Sequence, residues 1–451
     1  MHFGTSNRLI IFPRLTLFAA LAWAGAANAQ QTINKTNISD LATLVSYFAQ
    51  ADANPSNTYN LYLAWVHDAN GNTIPFTPAS PITLTKGTVN VFGSNTHLYP
   101  DKYIFDGQKK TRLFVVDGAT GYRPNLHLTG ITVRNGYGSG LSGGGLYANN
   151  AGYVVLEYCQ FLRNRTDRPG SAIFAQATTS LWIGKSLIKD NANWWYTGCG
   201  GGEMGNGGGI SVWQGDASVD AYFSIHNSTI SNDTACRGGG IQSKDNVTLN
   251  MHNNTFSGNV AQQAGGAMSF ENNSKPSYFY QNTITNNSAG TPVQPSSGFS
   301  YGGGVYFNNF NGNGYWSGNV FAKNLVGPQG VGVYPEDCHV FAGSPAFRSN
   351  TNVVGRIGNC TQLGTPGNWG IGQNPPGLKF DPLLGGLMTG TSNDGFALPV
   401  HLPASNSPLR GNYYYSRDNG YTCPSTDERG WPRKSDGCDI GAVERGADGI
   451  P

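Results

Sequence analysis

Charge is scarce in this sequence: charged residues make up 12% of 451, and the formal net charge is only +2. That excludes a basic stripe able to track nucleic acid or anionic lipid, and leaves polar and aromatic contacts to hold any ligand. Long apolar runs are missing too. Beyond Ala29 no stretch approaches the roughly 18 to 20 apolar residues of a membrane helix, so stable membrane insertion is not expected. Catalytic signatures are lacking as well. The chain has no Asp-Asp pair, no Asn-Thr-Asp, no Gly-His-Gly and no acidic ladder suited to calcium. No CxxC or His/Cys spacing suggests zinc, and no cofactor is implied.

The single apolar run, Leu15 to Trp23, is flanked by Arg8 and Arg14 and ends in Ala27-Asn28-Ala29. This A-x-A pattern reads residues 1–29 as an export signal, with a secreted mature chain starting near Gln30. Seven residues follow Glu444 without a hydrophobic tail, so a soluble product is expected.

What is abundant is glycine, 63 residues, alongside 12% aromatics. That combination gives tight turns between short buried strands rather than disorder. Six segments begin with a Gly-led group that ends on an apolar residue: Gly143 to Leu146, Gly170 to Ile173, Gly207 to Ile210, Gly238 to Ile241, Gly265 to Met268 and Gly302 to Val305. Each is followed by an apolar residue with Asn or Asp three positions on: Phe161/Asn164, Ile188/Asn191, Ile230/Asp233, Phe256/Asn259, Ile284/Asn287 and Phe321/Asn324. The two apolar marks are 15, 15, 20, 15, 16 and 16 residues apart (161 minus 146 for the first). A period near 27 without helical periodicity indicates stacked β-coils that bury one another's cores. Gly then turns the corners, and Asn adopts left-handed backbone or bonds along the stack.

The groups GGGI, GGAM and GGGV, paired with QFLRN, NTFSGN and NVFAKN, resemble the G-G-A-[ILVY] and F-x-x-N repeats of polymorphic outer membrane proteins. That resemblance implies a β-helix and surface adhesion. The ending is similar to the choice-of-anchor Q domain of exported β-helices: Asp381-Pro382-Leu383-Leu384-Gly385, then Cys423-Pro424, Thr426-Asp427, Arg429-Gly430, Pro432-Arg433 and Cys438 to Glu444. The expected fold is all-β, a single-stranded right-handed parallel β-helix with an N-terminal helical cap and an irregular disulfide-bonded C-terminal region. Residues 30–125 hold the cap and first coils, 126–335 the repeat coils, and 336–451 the last coils and the anchor-like module. Ile38 to Ala51 reads as the cap helix, with Ser39 or Asp40 at its N-cap. Ile82 to Phe92, Tyr103 to Val116 and Leu126 to Val133 read as strands.

An exported chain should pair its cysteines. Cys199 with Cys236, Cys338 with Cys360, and Cys423 with Cys438 are the expected disulfides, which leaves Cys159. It stands in the column of Ser186, Ser228, Asn254, Asn282 and Asn319, where a small stacked residue is more natural than a nucleophile.

The steps from one coil's apolar mark to the next Gly-led residue are 12, 22, 11, 12 and 21, so long loops follow Asn191 and Asn287 at one corner. About three coils apart, or about 14 Å, they frame a shallow groove. Trp194, Trp195, Tyr196 and Glu203 on the first loop, with Arg165, Asp167, Arg168 and Arg237 on neighbouring corners, are the candidate ligand-binding set. Aromatic faces and planar polar groups suit sugar rings; the plain alternative is aromatics covering the core edge beside solvated charges. His226, Lys244, Asp245, His252 and Glu271 form no recognisable catalytic set, and the stacked His226 and His252 read as surface decoration. The expected function is recognition of a polysaccharide or matrix glycan without chemistry. A polysaccharide lyase or glycoside hydrolase, and a structural surface-layer component, are the alternatives.

Overall fold

The computed structural model describes residues 30–446 except 94–99, 194–198, 200–204, 291–299, 328–333, 351, 356–359, 361–381, 390–391, 394, 412–422 and 435–437. One coil shows the plan. Leu146–Asn149 lies on face I, Tyr153–Glu157 on face II, Gln160–Leu162 on face III and Arg165–Thr166 on face IV. Each strand pairs in parallel with its counterpart in the next coil. Among the described residues, faces I to IV hold nine, eleven, nine and eight strands. The chain is therefore an all-β parallel solenoid of the β-helix kind, and no described helix is long and apolar enough to cross a membrane.

Both sequence marks fall in register. Leu146, Ile173, Ile210, Ile241, Met268 and Val305 stack on face I. Phe161, Ile188, Ile230, Phe256, Ile284 and Phe321 stack on face III. All are buried, so the interior is two continuous apolar columns that no single coil could close. The leading glycines of the six groups all have positive φ, between 60° and 71°. The second glycine allows close stacking: a Cβ on Gly208 would lie 2.6 Å from the Thr234 carbonyl oxygen.

The Asn marks do only one of their two expected jobs. Left-handed backbone falls on the residue before each mark, such as Arg163, Asp190, Asn232 and Asn286. The mark itself points inward and builds a ladder. Asn164 Nδ2 donates to the Val133 carbonyl and Asn191 Oδ1, and the pattern continues through Asn259, Asn287 and Asn324. A second ladder runs through Asn254, Asn282, Asn319 and Asn352. An amide suits this position because its Nδ2 bonds the coil on each side while its Oδ1 accepts a backbone N–H.

The N-terminal coils differ in one respect from the sequence reading. Each apolar stretch is two strands around a corner: Ile82–Leu84 with Thr88–Phe92, Ile104–Asp106 with Phe114–Asp117, and Asn125–Thr129 with Thr132–Arg134. Continuous hydrophobicity hid the bends because both sides of a corner feed one core. The helix Leu41–Ala53 starts at Asp40, whose carboxylate accepts the Thr43 N–H at 2.8 Å. Leu44, Phe48 and Ala51 close the end of the core.

The C-terminal module, residues 382–446 as described, folds back over the outward side of face III. Its antiparallel pair, Leu384–Thr389 with Pro399–Pro403, lies along the coils. His401 Nε2 is 2.9 Å from Ser257 Oγ, the Ala442 N–H donates to Thr283 Oγ1, and Arg433 Nη2 donates to Asn253 Oδ1.

The three expected disulfides are present, with Cα separations of 5.6, 5.9 and 6.4 Å. Cys159 is fully buried in its expected column, receiving its place from Ser186 Oγ, which accepts its N–H. Burial pushes its thiol up to about 12. In the native protein at pH 8 it should therefore resist a thiol-specific chromogenic reagent, with one thiol per chain reacting after denaturation. Stoichiometric reaction before unfolding contradicts this placement.

Candidate functional site

The corner from face IV to face I is where the coils differ. After coils three and four the chain passes straight from strand to glycine group, at Arg237-Gly238 and Ala264-Gly265. After coils two and five it leaves past Asn193 and Gly290 and re-enters at Gly205 and Ser300. Both insertions thus spring from one corner, as the spacing suggested. Trp194, Trp195, Tyr196 and Glu203 lie outside the described residues. Cys199 is described, and it alters the expected groove: it is bonded to Cys236, and its carbonyl accepts Gln263 Nε2 at 2.6 Å on coil four. Cys199 therefore lies against coils three and four.

At this corner, side chains of faces IV and I form a connected strip. Arg237 Nε donates to Gln263 Oε1 at 2.9 Å, and its Nη1 lies 3.4 Å from Glu271 Oε2. Glu271, nearly buried, also accepts from Ser269 Oγ and Gln242 Nε2. Gln242 Oε1 in turn accepts from Ser211 Oγ and Trp213 Nε1 at 3.0 and 3.2 Å. The Lys244 ammonium stands 5.0 Å from the Trp213 ring centre.

One coil further, Tyr306 is buried, which pushes its hydroxyl up to about 12. Tyr301, His339 and Phe341 pack around it, and His339 Nδ1 is 3.0 Å from Glu336 Oε1. Planar amides, a guanidinium, a carboxylate and aromatic rings succeed one another along four coils, from Trp213 to Tyr306. Such a surface can hydrogen-bond hydroxyl pairs and receive the apolar faces of rings.

The other candidate corner residues do not join this strip. Asp167 Oδ1 accepts the Gly140 N–H at 2.7 Å, and the Arg168 carbonyl accepts Asn193 Nδ2. Arg165 is paired in face IV between Tyr137 and Ala192. These three are on coil one, two coils or about 10 Å from Arg237. Sequence reasoning named both Arg237 and Glu271 but did not bring them together, and it missed Gln242, Gln263, Ser269, Tyr306 and His339. A signal did exist. Once the glycine groups are aligned, the residue after each apolar mark is the outward column: Tyr147, Phe174, Ser211, Gln242, Ser269, Tyr306.

His226 and His252 do stack, with ring centres 5.2 Å apart and planes at 9°. They lie on face II, away from the strip. Burial lowers both to about 4, and Trp182 Nε1 donates to His226 Nε2 at 2.6 Å. Neutral, stacked imidazoles with a nitrogen already occupied behave as packing. Lys244 and Asp245 adjoin at 3.9 Å on the solvent side of face I. Among the described residues no three His, Cys, Asp or Glu side chains converge as a metal site.

Fold and site together define a disulfide-bonded parallel solenoid with a polar-aromatic strip at one corner. No family model matches the chain, and no curated protein matches it.

Proposed function

We propose that the protein is an exported recognition solenoid that binds a polysaccharide or matrix glycan along the corner between faces IV and I without chemistry of its own. The carrying observation is the hydrogen-bonded strip from Ser211 through Gln242, Glu271 and Arg237 to Gln263, flanked by the two insertions of one corner. Rigid strands fix its spacing, and long loops on rigid scaffolds are where binding concentrates. Export is supported by the leader-like residues 1–29 and by three disulfides. The glycine-led repeats and the C-terminal module are read as relatives of the polymorphic outer membrane protein repeats and the choice-of-anchor Q ending.

The test is a polysaccharide panel scored for both retention and turnover with residues 30–451. Saturable retention is expected, falling at least tenfold in Arg237→Ala, and in Trp194→Ala combined with Trp195→Ala. That is about 1.4 kcal/mol. New reducing ends or unsaturated uronates defeat the reading of binding without chemistry. Absence of retention across the panel favours a purely structural surface component.

A further inference from the structure

The C-terminal module is seated on a row of hydroxyls. Thr229, Thr255 and Thr283 occupy one outward column of face III, with Ser231, Ser257 and Thr285 two residues along. Glu428, 2% exposed, is driven into this row from the module. Its Oε1 lies 2.8 Å from Thr229 Oγ1 and its Oε2 lies 2.5 Å from Thr255 Oγ1.

Counting protons decides the charge. Thr229 Oγ1 also lies 2.8 Å from the Pro399 carbonyl oxygen, which can only accept. Thr229 has one proton for these two oxygens, so both contacts are hydrogen bonds only if the carboxyl carries a proton of its own. Thr255 donates to the other oxygen. A neutral acid satisfies every group, whereas a carboxylate leaves Thr229 Oγ1 facing either Oε1 or the Pro399 oxygen lone pair to lone pair in a buried site.

We propose that the C-terminal module is a proton-linked cover, which seats on the hydroxyl row of face III while Glu428 is a neutral acid and loosens as the pH rises. Burial and the neighbouring Asp427 act in the same direction, holding the Glu428 carboxyl well above its ordinary range. The undocked module exposes Glu428 to water, where it ionises near 4.5. Docking is thus unpenalised below that pH and weakens as pH rises, until the docked carboxyl itself ionises.

The other charged groups around it set the window. Asp427 is held by Arg429 at 2.8 Å, and Arg433 lies 3.5 Å from Glu444. Asp439 accepts the Gly411 and Arg445 N–H groups. From face III, Lys189 aligns with Ser231 but sits 4.0 Å from Asp190, and Lys323 faces His401. His401, buried between Gly385 and Ser257, is lowered by desolvation, so its effect is opposite: docking is lost as pH falls below 6.5. Glu444 is raised by burial and acts with Glu428. The net release therefore appears above about pH 6.5.

The experiment is amide hydrogen exchange on the full mature chain at pH 5.5, 7.0 and 8.5, corrected for intrinsic rates. Opening of residues 396–446 and of the strands carrying Thr229 and Thr255 is expected to rise by up to about tenfold per pH unit above 6.5. Coils on face I should show no such trend. Glu428→Gln, a neutral isostere, should remove the larger share of that slope. A pH-independent opening, or an unchanged slope in Glu428→Gln, overturns the proposal. Should that variant fail to fold, the side-chain carboxyl ¹³C shift of Glu428 decides it in the parent protein: protonated at pH 7 is expected, and ionised at pH 5.5 refutes it.

Discussion

Asn259→Ala is expected to destabilise the protein by about 2–5 kcal/mol, while Asp233→Asn, one coil earlier in the same ladder, is expected to stabilise it by about 1–3 kcal/mol. Asn259 Nδ2 donates to the Ile230 carbonyl and Asn287 Oδ1, and its Oδ1 accepts the Asp233 N–H. Truncation leaves those groups unpaired in the buried interior. Asp233 is the ladder's flaw. Its Oδ1 serves Asn191, but Oδ2 has no hydrogen-bond partner among the described residues, and an acid has no Nδ2 for Ile188 and Asn259.

Desolvation raises the Asp233 carboxyl well above its ordinary value, with Asp190 adding to it. The folded protein keeps a proton that the unfolded chain releases near 3.8, so stability falls as pH rises above that point. The gain from Asp233→Asn should therefore be larger at pH 7.5 than at pH 4.5. Urea unfolding of both variants at the two pH values checks this. A stabilisation that does not grow with pH contradicts a neutral Asp233.

Arg433→Ala is the second large effect, expected at about 3–5 kcal/mol and confined to the module. Arg433 is buried, donating to the carbonyls of Asp439 and Gly441 and to Asn253 Oδ1, with Glu444 at 3.5 Å. Its removal leaves Glu444 and Asp439 as buried carboxyls without their cation. The coils have their own ladders and columns, so they should remain folded while residues 382–446 lose protection. Calorimetry with exchange on the same sample separates the two. Arg433→Lys should rescue only in part, because an ammonium lacks the planar fork that reaches three acceptors. Cooperative loss of the whole solenoid would show that the module is integral to it.

The charged residues of the C-terminal module acquire a physical meaning from this arrangement. Asp427, Arg429, Arg433, Asp439 and Glu444 are all buried, and Arg429 donates to Asp427 and to the Glu444 carbonyl. They shape the module and attach it to the coils. Nothing in the spacing shows what the module faces, because Asn253, Gln281 and Thr283, the partners of Arg433, Gly441 and Ala442, are some 160 to 180 positions away.

The coils were legible because a solenoid repeats its local physics. Phe161, Ile188 and Ile230 answer to the same neighbours above and below, and Gly143, Gly170 and Gly207 to the same corner. The pairing of Cys199 with Cys236 was legible for that reason, since equivalent turns of adjacent coils are adjacent in space. The strip at the corner of faces IV and I was only half legible. Outward positions tolerate any soluble side chain, so Gln242 and Ser269 look unremarkable until register places them beside Glu271.

By itself, then, the sequence determined the stacked parallel coils, their six-fold glycine and asparagine marks, the cap and the disulfides, since each follows from contacts that recur once per coil. Only the tertiary structure decided that Arg237 meets Glu271 rather than Arg168, and that the C-terminal module lies over the hydroxyl row of face III with Glu428 beneath it. Those contacts join segments far apart in the chain, and their energy depends on burial and proton count, which no local pattern encodes.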